Sequence, residues 1–367
     1  MVLFIGLMVW SLLMASVFLF GKATKNKKLL YILLVYIPLV FISGLRNWNV
    51  GTDTVAFHQW FEATRYVDIG DFGWFYTLPS TSTDLEWGFI WIGHFLNIFN
   101  LDAQIMIFIY STITVLGMGY AFYKYSKSLW LSTFLYIALY SYAQSFNTAK
   151  QWVAIMLMFN AFGYLRDNRK LKFLGMIVVS MIFHFSSIIY ALILFLMPIN
   201  LKKFIYGLVF FTVIGVAGWN LLLNFADVLS IKYLAYAETS YVLESKFGSA
   251  ILQILGVVIL MIISYGLYKK KRFDVKEKET LVICNIFMIL FIITLYSRYT
   301  IQIIYRFMPY FFVYIYILIP LILDKMARTS IFLKYIIYTT IIIIGFIYCI
   351  IMMKLGFEEV IPYSFCF

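Results

Sequence analysis

The 367-residue chain is 63% hydrophobic and 20% aromatic, with 13% charged residues and a mean hydropathy of +0.91. Soluble domains are about half apolar and about a quarter charged, so a soluble enzyme is excluded; long apolar runs in place of short alternating ones exclude an outer-membrane barrel. The net charge of +12 does not mean nucleic acid, because most Lys and Arg sit in short loops between apolar runs, the positive-inside pattern of membrane topology.

Apolar stretches suited to helices run over 2–20, 28–45, 103–123, 128–146, 149–165, 203–223, 249–268, 279–297, 304–323 and 332–353. The first lacks a basic leader segment and reads as a retained helix with its N-terminus outside. Residues 87–100 are short for a span, and loop charge makes them a re-entrant or interfacial helix. Residues 172–198 are long for one span and are predicted to go up and return, turning near His184-Phe185-Ser186-Ser187. The fold class is therefore all-α: a polytopic integral membrane protein of about 10–12 transmembrane or re-entrant helices. One polytopic domain covers 1–367. A large external loop follows the second helix, over 46–102 with the re-entrant helix, and a second external loop covers 225–247. Cys284, Cys349 and Cys366 show neither metal-ligand spacing nor pairing.

A polar island, 46–86, interrupts the apolar chain. With KATKNKK (22–28) inside, it lies outside, and the basic residues that escape the inside bias are Arg46, Arg65, Lys150, Lys232, Lys246, Arg298, Arg306 and Lys354. A charge at membrane depth costs about 3 kcal/mol or more unless it faces a cavity or partner. Arg298, Gln302 and Arg306 are spaced i, i+4, i+8, one face of a helix, and arginine forks match phosphate oxygens. Asn147, Lys150 and Gln151 form a second polar face. A cation near a helix N-terminus needs an attracting anion. Snorkelling to the headgroups is the alternative for these cations. Asp53 follows a glycine and a threonine and suits either an N-cap or a base. Glu86 borders the re-entrant stretch, and His184 stands at the predicted outer turn beside two serines. His58 and His94 are too scattered for a zinc site.

These landmarks resemble the EpsG-like branch of the Wzy-type polysaccharide polymerases, which includes O-antigen polymerases. The R-x-x-x-V-G-T-D stretch is Arg46-Asn47-Trp48-Asn49-Val50-Gly51-Thr52-Asp53, and E-x-G-[FY] is Glu86-Trp87-Gly88-Phe89. F-N-x-x-R-Q-x-x-A is matched by Phe146, Asn147, Gln151 and Ala154, with Lys150 where the family has arginine. F-H-x-S is Phe183-His184-Phe185-Ser186, and the late Y-R is Tyr305-Arg306.

The resemblance implies a metal-independent membrane glycosyltransferase without cofactor, at the periplasmic face of the bacterial inner membrane. Donor and acceptor would be undecaprenyl-diphosphate-linked oligosaccharides, with membrane lipid and a chain-length regulator protein as partners and no nucleic acid. Arg46, Lys150, Arg298 and Arg306 would hold the departing diphosphate, with Asn147, Gln151 and Gln302 in support. The base would be Asp53 or His184, with Glu86 third. The competing readings are a lipid-linked oligosaccharide flippase, another membrane glycosyltransferase or O-antigen ligase, and a structural envelope partner.

Overall fold

In the computed structural model the described residues are 1–21, 23–67, 75–78, 83–196, 247–296, 306–326 and 331–367. They form an all-α, multi-pass membrane protein. In chain order the helices are α1 (Val2–Phe18), α2 (Lys25–Gly44), α3 (Thr54–Ala63), α4 (Trp87–Ile98), α5 (Ala103–Tyr125), α6 (Leu129–Ala138) and α7 (Ser141–Gln144). Then follow α8 (Ala149–Asn160), α9 (Phe162–Arg166), α10 (Lys170–Phe183) and α11 (Tyr190–Leu196). Beyond residue 246 come α12 (Phe247–Lys269), α13 (Val275–Tyr296), α14 (Met308–Phe312), α15 (Ile315–Met326) and α16 (Ile331–Lys354). Among the described residues, five stretches are long and apolar enough to cross a membrane: Lys25–Gly44, Ala103–Tyr125, Val275–Tyr296, Met308–Met326 and Tyr335–Lys354.

Local chemistry sets the helix ends. Thr24 caps α2 by accepting from Lys27 N, and Asp102 caps α5 by accepting from Gln104 N at 2.7 Å. Asp274 and Glu277 bond reciprocally through side chain and backbone N–H at the start of α13, which is a capping box. With α5 running 23 residues, or about 35 Å, its two ends mark the two ends of the bundle.

Each end gathers residues from distant parts of the chain. At the first, Gln104 donates to the carbonyls of Gly44 and Arg46, and the breaks before α8 and after α10 lie at the same level. At the other, Glu277 Oε1 takes both Lys127 Nζ and Lys325 Nζ at 2.7 Å, Arg272 donates to the Lys325 carbonyl, and Trp130 touches Phe20 and Tyr338.

Between the ends, small residues let helices approach closely, as packing in a lipid environment requires. A Cβ on Gly119 would lie 2.6 Å from the Tyr36 ring, and one on Gly44 2.5 Å from Phe108. The middle is aromatic: Phe122, Tyr136, Tyr142, Trp152 and Tyr316 are fully buried and meet edge to face.

Of the predicted helical stretches, 128–146 and 149–165 are divided, and 172–198 turns at His184 as expected. The 128–146 stretch is broken between α6 and α7, where Tyr140 turns left-handed (φ +69°) and Ser141 Oγ accepts from buried Tyr316. The 149–165 stretch steps at Ala161 between α8 and α9. The 172–198 stretch breaks at His184 and doubles back, so that Tyr190 packs on Phe173 and Ser180 donates to Ser187. The island 46–86, expected as an external loop with Asp53 suited to an N-cap, carries helix α3 and a two-stranded antiparallel hairpin, β1 (Phe75–Leu78) with β2 (Thr83–Glu86), pairing Phe75 with Glu86.

The last residues return to the first island. Asn47 N–H donates to Ser364 O, Gly51 N–H to Glu359 O, and Cys366 N–H to Leu45 O. Tyr363 Oη donates to Ile42 O, and Arg46 forms a β-bridge with Phe365. Residues 357–366 thus lie as a strap over the loop that enters α3.

Candidate functional site

The site is built where the breaks in the chain meet. Glu86 ends β2 and stands with extended backbone at the N-cap position of α4, where the chain enters the helix, and it is 5% exposed. Its Oε2 lies 2.7 Å from Lys150 Nζ and its Oε1 2.5 Å from His184 Nδ1. Lys150 comes from the first turn of α8 and His184 from the break after α10, so one carboxylate ties three elements together. The Lys150 ammonium also sits 4.5 Å from the Trp60 ring centroid and 5.5 Å from Phe89, which favours a cation. Burial alone would raise the Glu86 carboxyl, but Lys150 and then His184 outweigh it and hold the acid well below its ordinary range. Glu86 is therefore an ionised anchor.

That pairing corrects one expectation. The anion that steadies Lys150 at a helix N-terminus is Glu86 of the protein itself. Lys150 and Arg306 both also act on the Asp53 carboxyl, and no side chain caps α8 at Thr148. The first backbone N–H groups of α8 point toward the cluster with their dipole.

Arg46 takes a different place from the one expected. It is 2% exposed, and each guanidinium nitrogen has an interior partner. Nη2 donates to Phe146 O at 2.7 Å, Nη1 to Ser43 O and Ser111 Oγ, and Nε to Thr54 Oγ1. Its plane also covers the Phe146 ring at 5.0 Å. These bonds satisfy the carbonyl left open in the break between α7 and α8, a requirement wherever non-helical backbone lies at depth. Arg46 holds the site's frame and does not face its interior.

Asp53 stands at the N-cap position of α3 without a side-chain capping bond; it accepts from Thr52 Oγ1 at 2.9 Å. Burial raises its carboxyl, opposed by the Thr52 hydroxyl, Arg306 and Lys150. Asn147 donates to both the carbonyl and the Oε2 of Glu358. Gln151 donates to Arg306 O at 2.7 Å, fixing the turn that carries that arginine. Tyr310, next along, bonds Ser186 at 2.9 Å and accepts from Tyr190 on its carbonyl.

So Asp53, Glu86, Asn147, Lys150, Gln151, His184 and Arg306 converge on one end of the bundle. Arg298 and Gln302 lie outside the described residues, as does the 225–247 loop up to residue 246. Arg65 pairs with Glu62 and Asn97 at the surface, away from the cluster.

Three participants were not singled out in the sequence. Trp60 looked like one aromatic among many, and Tyr310 stood unremarked inside YRFMPY. Glu358 follows the last apolar run, and its position on the same side as the island was the one available signal.

Over residues 29–365 the sequence matches the EpsG family. The chain belongs to the EpsG family. No curated protein and no solved structure matches it. Family membership makes this a polysaccharide-related membrane protein, and the elements that supply the clustered residues all fall inside the matched span.

Proposed function

We propose that this EpsG-family protein is a polysaccharide polymerase. It would transfer a growing glycan from undecaprenyl diphosphate to the terminal sugar of a lipid-linked repeat unit, at the periplasmic face of the inner membrane. The observation that carries the reading is the Glu86–Lys150–His184 cluster, assembled from three chain breaks at one end of a membrane bundle beside Arg306 and Asp53. The opposite end carries Lys127, Arg272 and Lys325, and the positive-inside rule would put that end in the cytoplasm.

Transfer needs a hydroxyl to attack an anomeric carbon while a diphosphate departs. Negative charge grows on the leaving oxygen, and fixed cations aimed there lower the barrier. Lys150 and Arg306 suit that task, with Arg298 as a further candidate and the open N-terminus of α8 adding its dipole. His184, oriented through Nδ1 by Glu86, keeps Nε2 for the substrate. Asp53 stands where an acceptor hydroxyl could be positioned. Asn147 and Gln151 hold Glu358 and Arg306 in place, and Arg46 acts behind them as a positioning residue. The residues need no metal for this chemistry.

A flippase would use the same lipid but needs a polar path open to both ends. Among the described residues the middle of the bundle is closed by buried aromatic rings, which favours chemistry at one end. The test is incubation of purified protein with lipid-linked repeat units from membranes of a deletion strain. A ladder of lengths is expected, and Arg306→Ala should lose it while still reaching the membrane. Unextended substrate from the wild-type protein, or transfer only to a different acceptor, would overturn the reading.

A further inference from the structure

Besides Glu86 and Asp53, a third carboxyl reaches this end of the bundle, from about 270 residues beyond Glu86. Glu358 rides on the strap at residues 357–366. Its Oε2 accepts from Asn147 Nδ2 at 2.5 Å and its carbonyl from the same amide at 2.9 Å. The backbone is turned into place at a cost: Glu358 and Glu359 both adopt left-handed φ, +65° and +49°. Non-glycine residues in that region are each disfavoured by about 1 kcal/mol or more, and such strain collects at functional sites. The neighbour that receives it is equally constrained. Asn147 is 4% exposed, its Oδ1 has no hydrogen-bond partner, and it presses on Gly51 so closely that no Cβ would fit there.

The surroundings of the two glutamates are opposite. Glu86 is gripped by an ammonium and an imidazole. Glu358 faces the amides of Asn147 and Gln144, the ring of Tyr140 and the carboxyl of Asp53. Two acids driven apart by their settings is the arrangement that separates the roles of anchor and proton carrier.

We propose that Glu358 is the base that takes the proton from the attacking sugar hydroxyl, an inference that rests on the transferase reading above. The hydroxyl oxygen forms the bond to the anomeric carbon. The bond from that carbon to the diphosphate oxygen breaks, and its electron pair leaves with the diphosphate. The hydroxyl proton passes to the Glu358 carboxylate and is then released to water, restoring the base. Burial, opposed by the Asn147 bond and reinforced by Asp53, lifts this carboxyl to about 7, matched to such a transfer near neutrality.

The experiment compares wild type, E358Q and E358D in the elongation assay, using lipid-linked repeat units from the deletion strain. E358Q keeps the shape and the Asn147 contact. Its kcat should fall by about 100-fold or more with KM within about twofold, and the acid limb of the pH profile near 7 should vanish. E358D should retain measurable turnover with a shifted limb. E358Q turning over like wild type, with the limb in place, overturns the assignment while leaving the transferase reading intact. Failure of the wild type to elongate overturns both. Should E358Q not accumulate, infrared titration of wild type and E358D decides: a carboxyl band titrating near neutrality and moved in E358D supports the proposal, and its absence overturns it.

Discussion

Lys150 Nζ lies 2.7 Å from Glu86 Oε2, joining the first turn of α8 to the residue that starts α4, and His184 takes the other oxygen at 2.5 Å. Breaking a buried pair leaves an uncompensated charge, at a cost of about 3–5 kcal/mol. Glu86→Ala and Lys150→Ala should each lower the melting temperature and abolish elongation. The double variant should melt higher than the sum of the two losses predicts, since each partner's absence removes the other's penalty. Strict additivity in detergent melting curves would show the pair to be uncoupled.

Lys150→Arg should elongate, because an arginine fork can meet the same carboxylate and the same aromatic rings. Lys150→Glu places like charges together and should be inactive. Equal activity of the two in a product-ladder assay would remove Lys150 from the site.

Gly51 has φ +95° and lies against Asn147 Oδ1. Gly51→Ala should therefore displace Asn147 and loosen the strap, at about 1–3 kcal/mol from the backbone alone. Shortening the neighbour by Asn147→Ala in the same protein should recover part of the stability and none of the activity. Thermal melts and elongation rates together separate the two effects.

Arg46→Lys keeps the charge but cannot serve Phe146 O, Ser43 O, Ser111 and Thr54 at once. The expected result is poor accumulation and a lower melting temperature, with KM of the folded fraction near the wild-type value. A raised KM at unchanged stability would instead assign Arg46 to substrate.

Strap docking should depend on pH. Folding raises the Glu358 carboxyl from an ordinary 4.5 to about 7, so the folded form holds a proton that the unfolded form has released. That contribution is complete below about 4.5 and is lost as pH rises through about 7. Deuterium exchange at Asn47, Gly51 and Cys366, whose N–H groups bond the strap or its loop, should quicken over that interval beyond the intrinsic rate. E358Q should flatten the dependence, and unchanged protection across it in wild type would contradict the linkage.

Much of this architecture was readable from residue order. Apolar length marked α2, α5, α13 and α16, and the basic residues marked one end of the bundle. The break at His184 was visible as two spans' worth of apolar chain with a polar centre. The boundary after Phe146 was also visible, as the gap between two apolar stretches, but the break at Tyr140 was not, because the residues there are apolar or aromatic and a tertiary partner, Tyr316, makes the irregular backbone tolerable. In the site, spacing put Asn147, Lys150 and Gln151 on one face, but it could not show that Lys150 already had an anion in Glu86. Arg46 looked like a ligand for phosphate because a buried arginine with interior acceptors has no local signature. Glu358 escaped notice since its role depends on a fold-back across nearly the whole chain.

The bridge between Arg46 and Phe365 also sets a timetable. The loop at 46–53 is threaded early during translation, yet the hydrogen bonds that finish it come from residues 359–366. Contacts this remote in sequence form late. A ribosome-bound nascent chain would therefore hold an unfinished loop, completed only once residues 358–366 have emerged and docked.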